Sequence, residues 1–161
     1  MAYIKGKEGR EPGCIFDRSP DLDHDRTNLI LSRDRLTVVL LNRFPYANGH
    51  LLIAPTRHVA DITDLTTGEN SGLMETIQKS VVILREQYNP DGFNIGLNIG
   101  AVAGAGLSDH LHFHVVPRWN DDHNFMTVLA EVRTIPEHIE QTFDLLFPAF
   151  KNRAPEPVEY R

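Results

Sequence analysis

Apolar residues in this chain fall into a few short, dense runs separated by polar and turn-forming stretches. "NLILSRDRLTVVLLNRFP" predicts two short strands around a turn at Arg33 and Asp34, the second running from Leu36 to Leu41. "NRFPYANG" interrupts the pattern with Pro45 and Gly49, and "HLLIAP" predicts a further strand that Pro55 stops. The period then changes. Leu73, Ile77, Val81, Leu84 and Tyr88 recur at spacings of three and four, which places them on one apolar stripe of a helix. Thr66 and Glu69 have the spacing of a capping box at its start, and Asn89 with Pro90 ends it. "GFNIGLNIG" alternates as a half-buried strand does, "AVAGAGLSD" is a small-residue loop, and "HLHFHVVP" predicts the last strong strand. A second helix is expected from Pro136 to about Phe150. Strands on both sides of one long helix, joined by hairpin-like connections, predict an α+β fold. Its sheet is antiparallel, of about five strands, with one long helix and a C-terminal helix. The expected organisation is a flexible arm at 1–13, one domain at 14–150 and a Pro-containing tail at 151–161.

Composition narrows the function. The 161 residues suit one domain with its own core, at 41% hydrophobic and 24% charged. A net charge of −6 argues against a general nucleic-acid binder but allows a small anionic ligand in a local pocket. No run approaches the length that spans a bilayer, so no membrane partner is expected. "MAYIKGKEGREPGC" lacks the apolar core of a signal peptide, and the single cysteine, Cys14, excludes an internal disulfide framework. A cytoplasmic protein is the expectation.

The chemistry concentrates in "GLSDHLHFHVVPRW". On a strand, His110, His112 and His114 share one face at about 6 to 7 Å intervals, while Leu111, Phe113 and Val115 face the core. One such histidine reads as a polar residue on a wet face. Three directly after a Gly-rich loop read as a site. Two chemistries fit. His-x-His can supply imidazoles to zinc. Alternatively, a neutral imidazole can attack phosphorus when a hydrogen bond fixes its other nitrogen, with flanking rings serving the phosphate oxygens and the leaving group.

"HLHFHVV" matches at every position the His-φ-His-φ-His-φ-φ signature (φ apolar) of the histidine triad (HIT) superfamily of nucleotide hydrolases and transferases, which this chain resembles. "LLNRFPYANGHLLIAPTRHV" and "CIFDR" resemble the family's upstream segments, so the likeness covers residues 14 to about 126. It implies a HIT-like fold. It also implies that His112 is the nucleophile that takes up a nucleoside monophosphate, that His114 hydrogen-bonds the α-phosphate and assists proton transfer, and that His110 orients His112. Asn42 matches a ribose-binding position, Ile15 and Phe16 match positions beside adenine, and Asn98, Ala105 and Gly106 match the phosphate-binding segment. Ser108 lies one or two places past the family's phosphate-binding hydroxyl, where Gly106 and Leu107 stand, so backbone N–H groups take that work. Some bacterial members hold a structural zinc. The matching positions are Cys14, Asp17, His58 and His110, with aspartate in place of a second cysteine; the set is acceptable to zinc and equally consistent with a site that has lost its metal.

"PRWNDDHNFM" resembles the "PRWxGDTNFM" of the prokaryotic branch of diadenosine tetraphosphate phosphorylases, also called ATP adenylyltransferases, departing from it at Asp121 and His123. Trp119 and Phe125 either shape the far end of the substrate site or anchor the loop. The likeness implies phosphorolysis of a dinucleoside polyphosphate, without a required cofactor and with magnesium as the polyphosphate's companion, by a homodimer. Hydrolysis of dinucleoside polyphosphates or adenosine phosphoramidates to AMP, or slow-turnover binding of adenosine nucleotides, are the alternatives.

Overall fold

The computed structural model describes residues 13–17, 22–120, 122 and 138–153. Five strands form one antiparallel sheet in the order β1-β2-β3-β5-β4. They are β1 (Ile30–Arg33), β2 (Thr37–Leu41), β3 (Leu51–Pro55), β4 (Gly92–Leu97) and β5 (Phe113–Arg118). Helix α1 (Leu22–Asn28) precedes the sheet, α2 (Thr67–Tyr88) links β3 to β4, and α3 (Ile139–Asn152) closes the described chain. This is the α+β arrangement expected. Helix α1 is additional: its "LDHDRTN" has no apolar period for a sequence reading to detect. Helix α3 runs to Asn152, two residues past the expected end; the expected start at Pro136 and the residue Phe125 lie outside the described residues.

Sheet parity sorts the side chains onto two faces. Val39, Leu41, Leu51, Ile53 and Val115 point to the helices and join Leu73, Ile77, Ile83 and Leu84 of α2 and Phe143, Leu146 and Phe150 of α3 in the main core. Ile30, Val38, Leu40, Leu52 and Ala54 point the other way and are covered by Phe16, with Cys14, Ile15 and Leu107 packed beside them. The central strands β2 and β3 are buried at every position, which explains their apolar sequence apart from Thr37, whose hydroxyl bonds Asp34 and Thr76.

The start of α2 is fixed as its sequence predicts. Glu69 N–H donates to Thr66 Oγ1 at 3.2 Å and Thr66 N–H donates to Glu69 Oε2 at 2.8 Å, completing the capping box. Arg57 adds a two-point bridge to the same carboxylate, at 2.8 Å from Nε and from an Nη. That guanidinium, with the Thr66 N–H, holds the Glu69 carboxyl down at about 2. The segment after β3 is thereby tied to the first turn of α2. At the other end Asn89 takes a left-handed conformation, φ +46°, and returns its N–H to Arg85 O.

The predicted last strand needs one correction. The pattern of "HLHFHVVP" predicts strand throughout, yet β5 begins only at Phe113. Its ladder to β3 starts at Phe113 opposite Ile53, because β3 ends two residues later at Pro55, which has no N–H to offer. Residues 110–112 instead bond to the end of β3 and the segment beyond it: Leu111 N–H donates to Val59 O at 2.7 Å, and His110 Nε2–H donates to Pro55 O at 2.9 Å.

Candidate active site

The three histidines are brought together on the sheet face away from the long helix, but they are not equivalent. His110 is fully buried, His112 is 6% exposed and His114 is half-buried. His112 Nδ1 lies 2.9 Å from the carbonyl oxygen of His110. A carbonyl only accepts, so Nδ1 carries the proton and the lone pair of the neutral ring sits on Nε2. The rings of His112 and His114 meet edge to face with centroids 5.1 Å apart. Phe16 packs on His110 at 4.9 Å and on His112 at 5.3 Å.

A fourth histidine, to which the sequence reading assigns no role, completes the array. His50 is fully buried and places Nε2 at 2.9 Å from His114 Nδ1. Its own Nδ1 accepts the backbone N–H of Tyr46 at 3.0 Å, with the Asn42 amide at 3.3 Å. Nδ1 is therefore unprotonated, Nε2–H donates to His114 Nδ1, and the proton of neutral His114 sits on Nε2. Tyr46 N–H, His50 and His114 thus form a chain of oriented donors. The Tyr46 ring covers it, 4.7 Å from His50 and 6.1 Å from His114. The signal that could have found His50 is its place directly before a fully apolar strand, where a polar ring needs buried partners.

Burial, followed by the neighbouring His112, pushes the His114 imidazolium down to about 4. The unfolded chain, with an ordinary histidine value, takes up that proton first as pH falls. Stability therefore rises with pH between about 4 and 6.5, the full span being worth roughly 2–4 kcal/mol. Urea midpoints measured across that window should show the slope, and His114→Gln should reduce it, the buried His110 ring, also pushed down by burial, supplying part of the remainder.

Opposite His114 on β4 stands Gly96, and no atom lies within 4 Å of where its Cβ would be. The space beside His114 is open. Extending the same register brings Asn98 level with His112. Asn98 is half-buried, with its amide against Gly104. The loop after it closes on itself: the N–H groups of Ala103, Gly104 and Ala105 go to the carbonyls of Gly100, Ala101 and Gly100. The Ala105 N–H, expected to face phosphate, thus has an internal acceptor at 3.4 Å. Asn42 is also engaged, accepting the Phe44 N–H at Oδ1 while its Nδ2 faces His50. Phe16 is buried beneath the histidines, whereas Ile15 is only half-buried. Trp119 meets Tyr88 at the end of α2, ring centroids 6.4 Å apart, and so anchors the loop after β5.

The four candidate metal ligands converge. One donor atom from each of Cys14, Asp17, His58 and His110 lies within 4.8 Å of all the others. His110 Nδ1 is 3.1 Å from Cys14 Sγ and 3.2 Å from an Asp17 oxygen, and His58 Nδ1 is 2.6 Å from the other oxygen. Because Nε2–H of His110 is committed to Pro55 O, the lone pair on Nδ1 points into the cluster. A thiol, a carboxylate and two imidazoles suit zinc. Burial raises the Cys14 thiol pKa above its ordinary value, a penalty that metal ligation would offset.

Residues 24–121 match the family described as HIT domain. The chain belongs to the HIT-domain family. It is 41% identical over 135 residues to an AP-4-A phosphorylase of Mycobacterium tuberculosis, spanning 84% of this chain and 69% of that protein. It is 33% identical over 94 residues to a bis(5'-adenosyl)-triphosphatase of Saccharomyces cerevisiae, spanning 58% of this chain and 45% of that protein. A Zn-bound histidine triad family protein from Mycobacterium smegmatis superposes with a TM-score of 0.61 at 30% identity, covering 77% of this chain and 84% of the other. The part matched as HIT domain contains the triad, His50 and His58, whereas Cys14 to Asp17 and α3 lie outside it. No helix among the described residues of this HIT chain is long and apolar enough to cross a membrane.

Proposed function

We propose that this HIT chain splits dinucleoside polyphosphates, diadenosine tetraphosphate among them, through a nucleotidyl-His112 intermediate that is then passed to phosphate. The observation that carries this is the His112 Nδ1–H bond to the His110 carbonyl, which leaves the Nε2 lone pair as nucleophile. In the first step Nε2 attacks the α-phosphorus and the bond to the bridging oxygen breaks. ATP departs with that electron pair, and the adenylate stays on His112. The positive charge that develops on the ring is shared with the His110 carbonyl. In the second step a phosphate oxygen attacks the same phosphorus, the P–N bond breaks, and ADP leaves with the ring neutral again. His114 Nε2–H, held in that tautomer by His50, donates to a phosphoryl oxygen in both steps. A polyphosphate leaving group is itself weakly basic, so a neutral His114 suffices.

Asn98 and the Gly106 backbone are assigned to the phosphates, Asn42 to the ribose and Ile15, backed by Phe16, to the base. Magnesium accompanies the polyphosphate. Cys14, Asp17, His58 and His110 are assigned to a structural zinc that takes no part in bond breaking. The name of the Mycobacterium tuberculosis relative favours phosphate as acceptor; that of the yeast relative favours the second reading, hydrolysis by water. Incubation with diadenosine tetraphosphate, with and without phosphate, tests this directly. ADP with ATP appearing only when phosphate is present is the expected result. AMP with ATP regardless of phosphate means a hydrolase. Tight binding without either product means a binding module and ends the catalytic reading.

The outer edge of β4, with Ile95 at 47% exposure, supports pairing with a second copy. We assign the working form as a homodimer and, from the nucleotide substrates, place it in the cytoplasm. Sedimentation checks the first and fractionation of cells the second.

A further inference from the structure

His110 is held at three points. Its Nε2–H is on Pro55 O, its Nδ1 faces Cys14 and Asp17, and its backbone carbonyl accepts from His112. It precedes the β5 ladder, so strand pairing does not fix its position. Holding the ring at both nitrogens limits where the backbone of His110, and so the carbonyl on which His112 depends, can sit. Two of the four cluster ligands, Cys14 and Asp17, flank Ile15 and Phe16, and Phe16 lies against both His110 and His112. Pinning both ends of that short segment presses Phe16 on the triad and holds Ile15 at the edge of the site.

His110 Nδ1 lies 3.1 Å from Cys14 Sγ, whose thiol can donate to it, and 3.2 Å from an Asp17 oxygen. A shared ion would replace that thiol proton and tie 14–17, 58 and 110 to one centre.

We infer that His110 couples ion binding to the active site: filling the Cys14–Asp17–His58–His110 cluster sets the orientation of His112 and seats the 14–17 segment for nucleotide binding. The inference rests on the assignment of His112 as nucleophile and adds a control over it. His110 is then a positioning residue with two partners, an ion on its ring and the nucleophile on its carbonyl.

The test uses the full chain stripped with a chelator, its histidines labelled with 15N, and zinc alone as the added ion. One equivalent of zinc should bind. The His112 ring resonances should sharpen into the Nδ1–H tautomer while those of His24 and His138, far along the chain from the cluster, stay in place. AMP affinity measured by calorimetry should rise by roughly tenfold, within the usual range of coupling between two sites. Cys14→Ser and Asp17→Asn should weaken zinc binding and leave AMP affinity at its zinc-free value. Zinc that binds without moving the His112 signals or AMP affinity overturns the coupling, as does a chain that takes up no zinc at 100-fold excess. Adduct formation on His112 is measured in the same samples. Equal adduct with and without zinc sinks the coupling and leaves the catalytic reading standing. Zinc-dependent spectra and affinity with no adduct in any sample do the reverse.

Discussion

Replacing His112 by Asn is expected to lower turnover of diadenosine tetraphosphate by at least about 10⁴-fold, the scale seen when a nucleophile is removed from a catalytic unit. Asn is shorter than His and keeps an N–H₂ that can still face the His110 carbonyl, so the fold and the packing of Phe16 should survive. The lost atom is Nε2 with its lone pair. AMP affinity should therefore stay within about threefold of the unaltered chain, because binding and bond breaking draw on different groups. Label from the adenosine moiety should appear on the unaltered protein as an acid-labile, base-stable adduct, as a P–N bond requires, and be absent from the variant. Retained turnover in the variant would remove His112 from the mechanism.

The second large effect is on stability, at a residue with no chemistry. Gly49 adopts φ +72°, and a Cβ there would lie 3.0 Å from Leu84 Cδ2 and 3.1 Å from Tyr88 Cε2. Leu84 is fully buried, so its side chain has little room to shift. Gly49→Val adds a left-handed penalty of about 1–2 kcal/mol, more for a β-branched residue, to an overpacking cost of about 1–3 kcal/mol. The expected loss is roughly 2–5 kcal/mol, or about 4–20 °C in Tm for a chain of this size. A fall in the urea midpoint at constant slope measures it. The folded fraction should also turn over more slowly, since Gly49 immediately precedes His50 and a displaced His50 no longer sets the His114 tautomer. A loss under about 1 kcal/mol would mean that the turn and α2 separate more readily than their packing indicates.

Much of the fold and the site is legible in the sequence. The apolar runs of β2 and β3, the stripe and capping box of α2 and the triad motif each come from side-chain period or fixed spacing. Three features are not legible. The polar heptapeptide of α1 carries no period. The start of β5 depends on where β3 runs out, a long-range fact that no local pattern of "HLHFHVVP" contains. His50 sits 64 residues from its partner His114, and nothing near it in sequence announces that its Nδ1 is occupied by Tyr46 N–H. Only family likeness groups Cys14, Asp17, His58 and His110 in the sequence, and the structure brings their donor atoms together. The loop at Ala105 is the reverse case. Its small residues suggest free amides, but three consecutive N–H groups are spent on the loop's own turn.

The burial of β2 and β3 on both faces has a consequence for folding fidelity. A strand that is apolar on one side is kept in alignment by its own alternation, since a slip of one residue would expose the wrong face. "TVVLL" and "LLIAP" have no such safeguard, because a slipped pairing would still bury greasy side chains. What penalises the slip is polar and lies at the two ends of the hairpin. At the open end, just past β3, Thr56 N–H donates to Leu36 O at 2.9 Å and Thr56 Oγ1 donates to Asp34 O at 3.2 Å. At the closed end Asn42 N–H meets His50 O, and His50 meets Tyr46 and His114. The hydrogen bonds that set the protonation of the histidines thus also act as the alignment key of the central hairpin. Selection for the chemistry would then guard against misfolding as well.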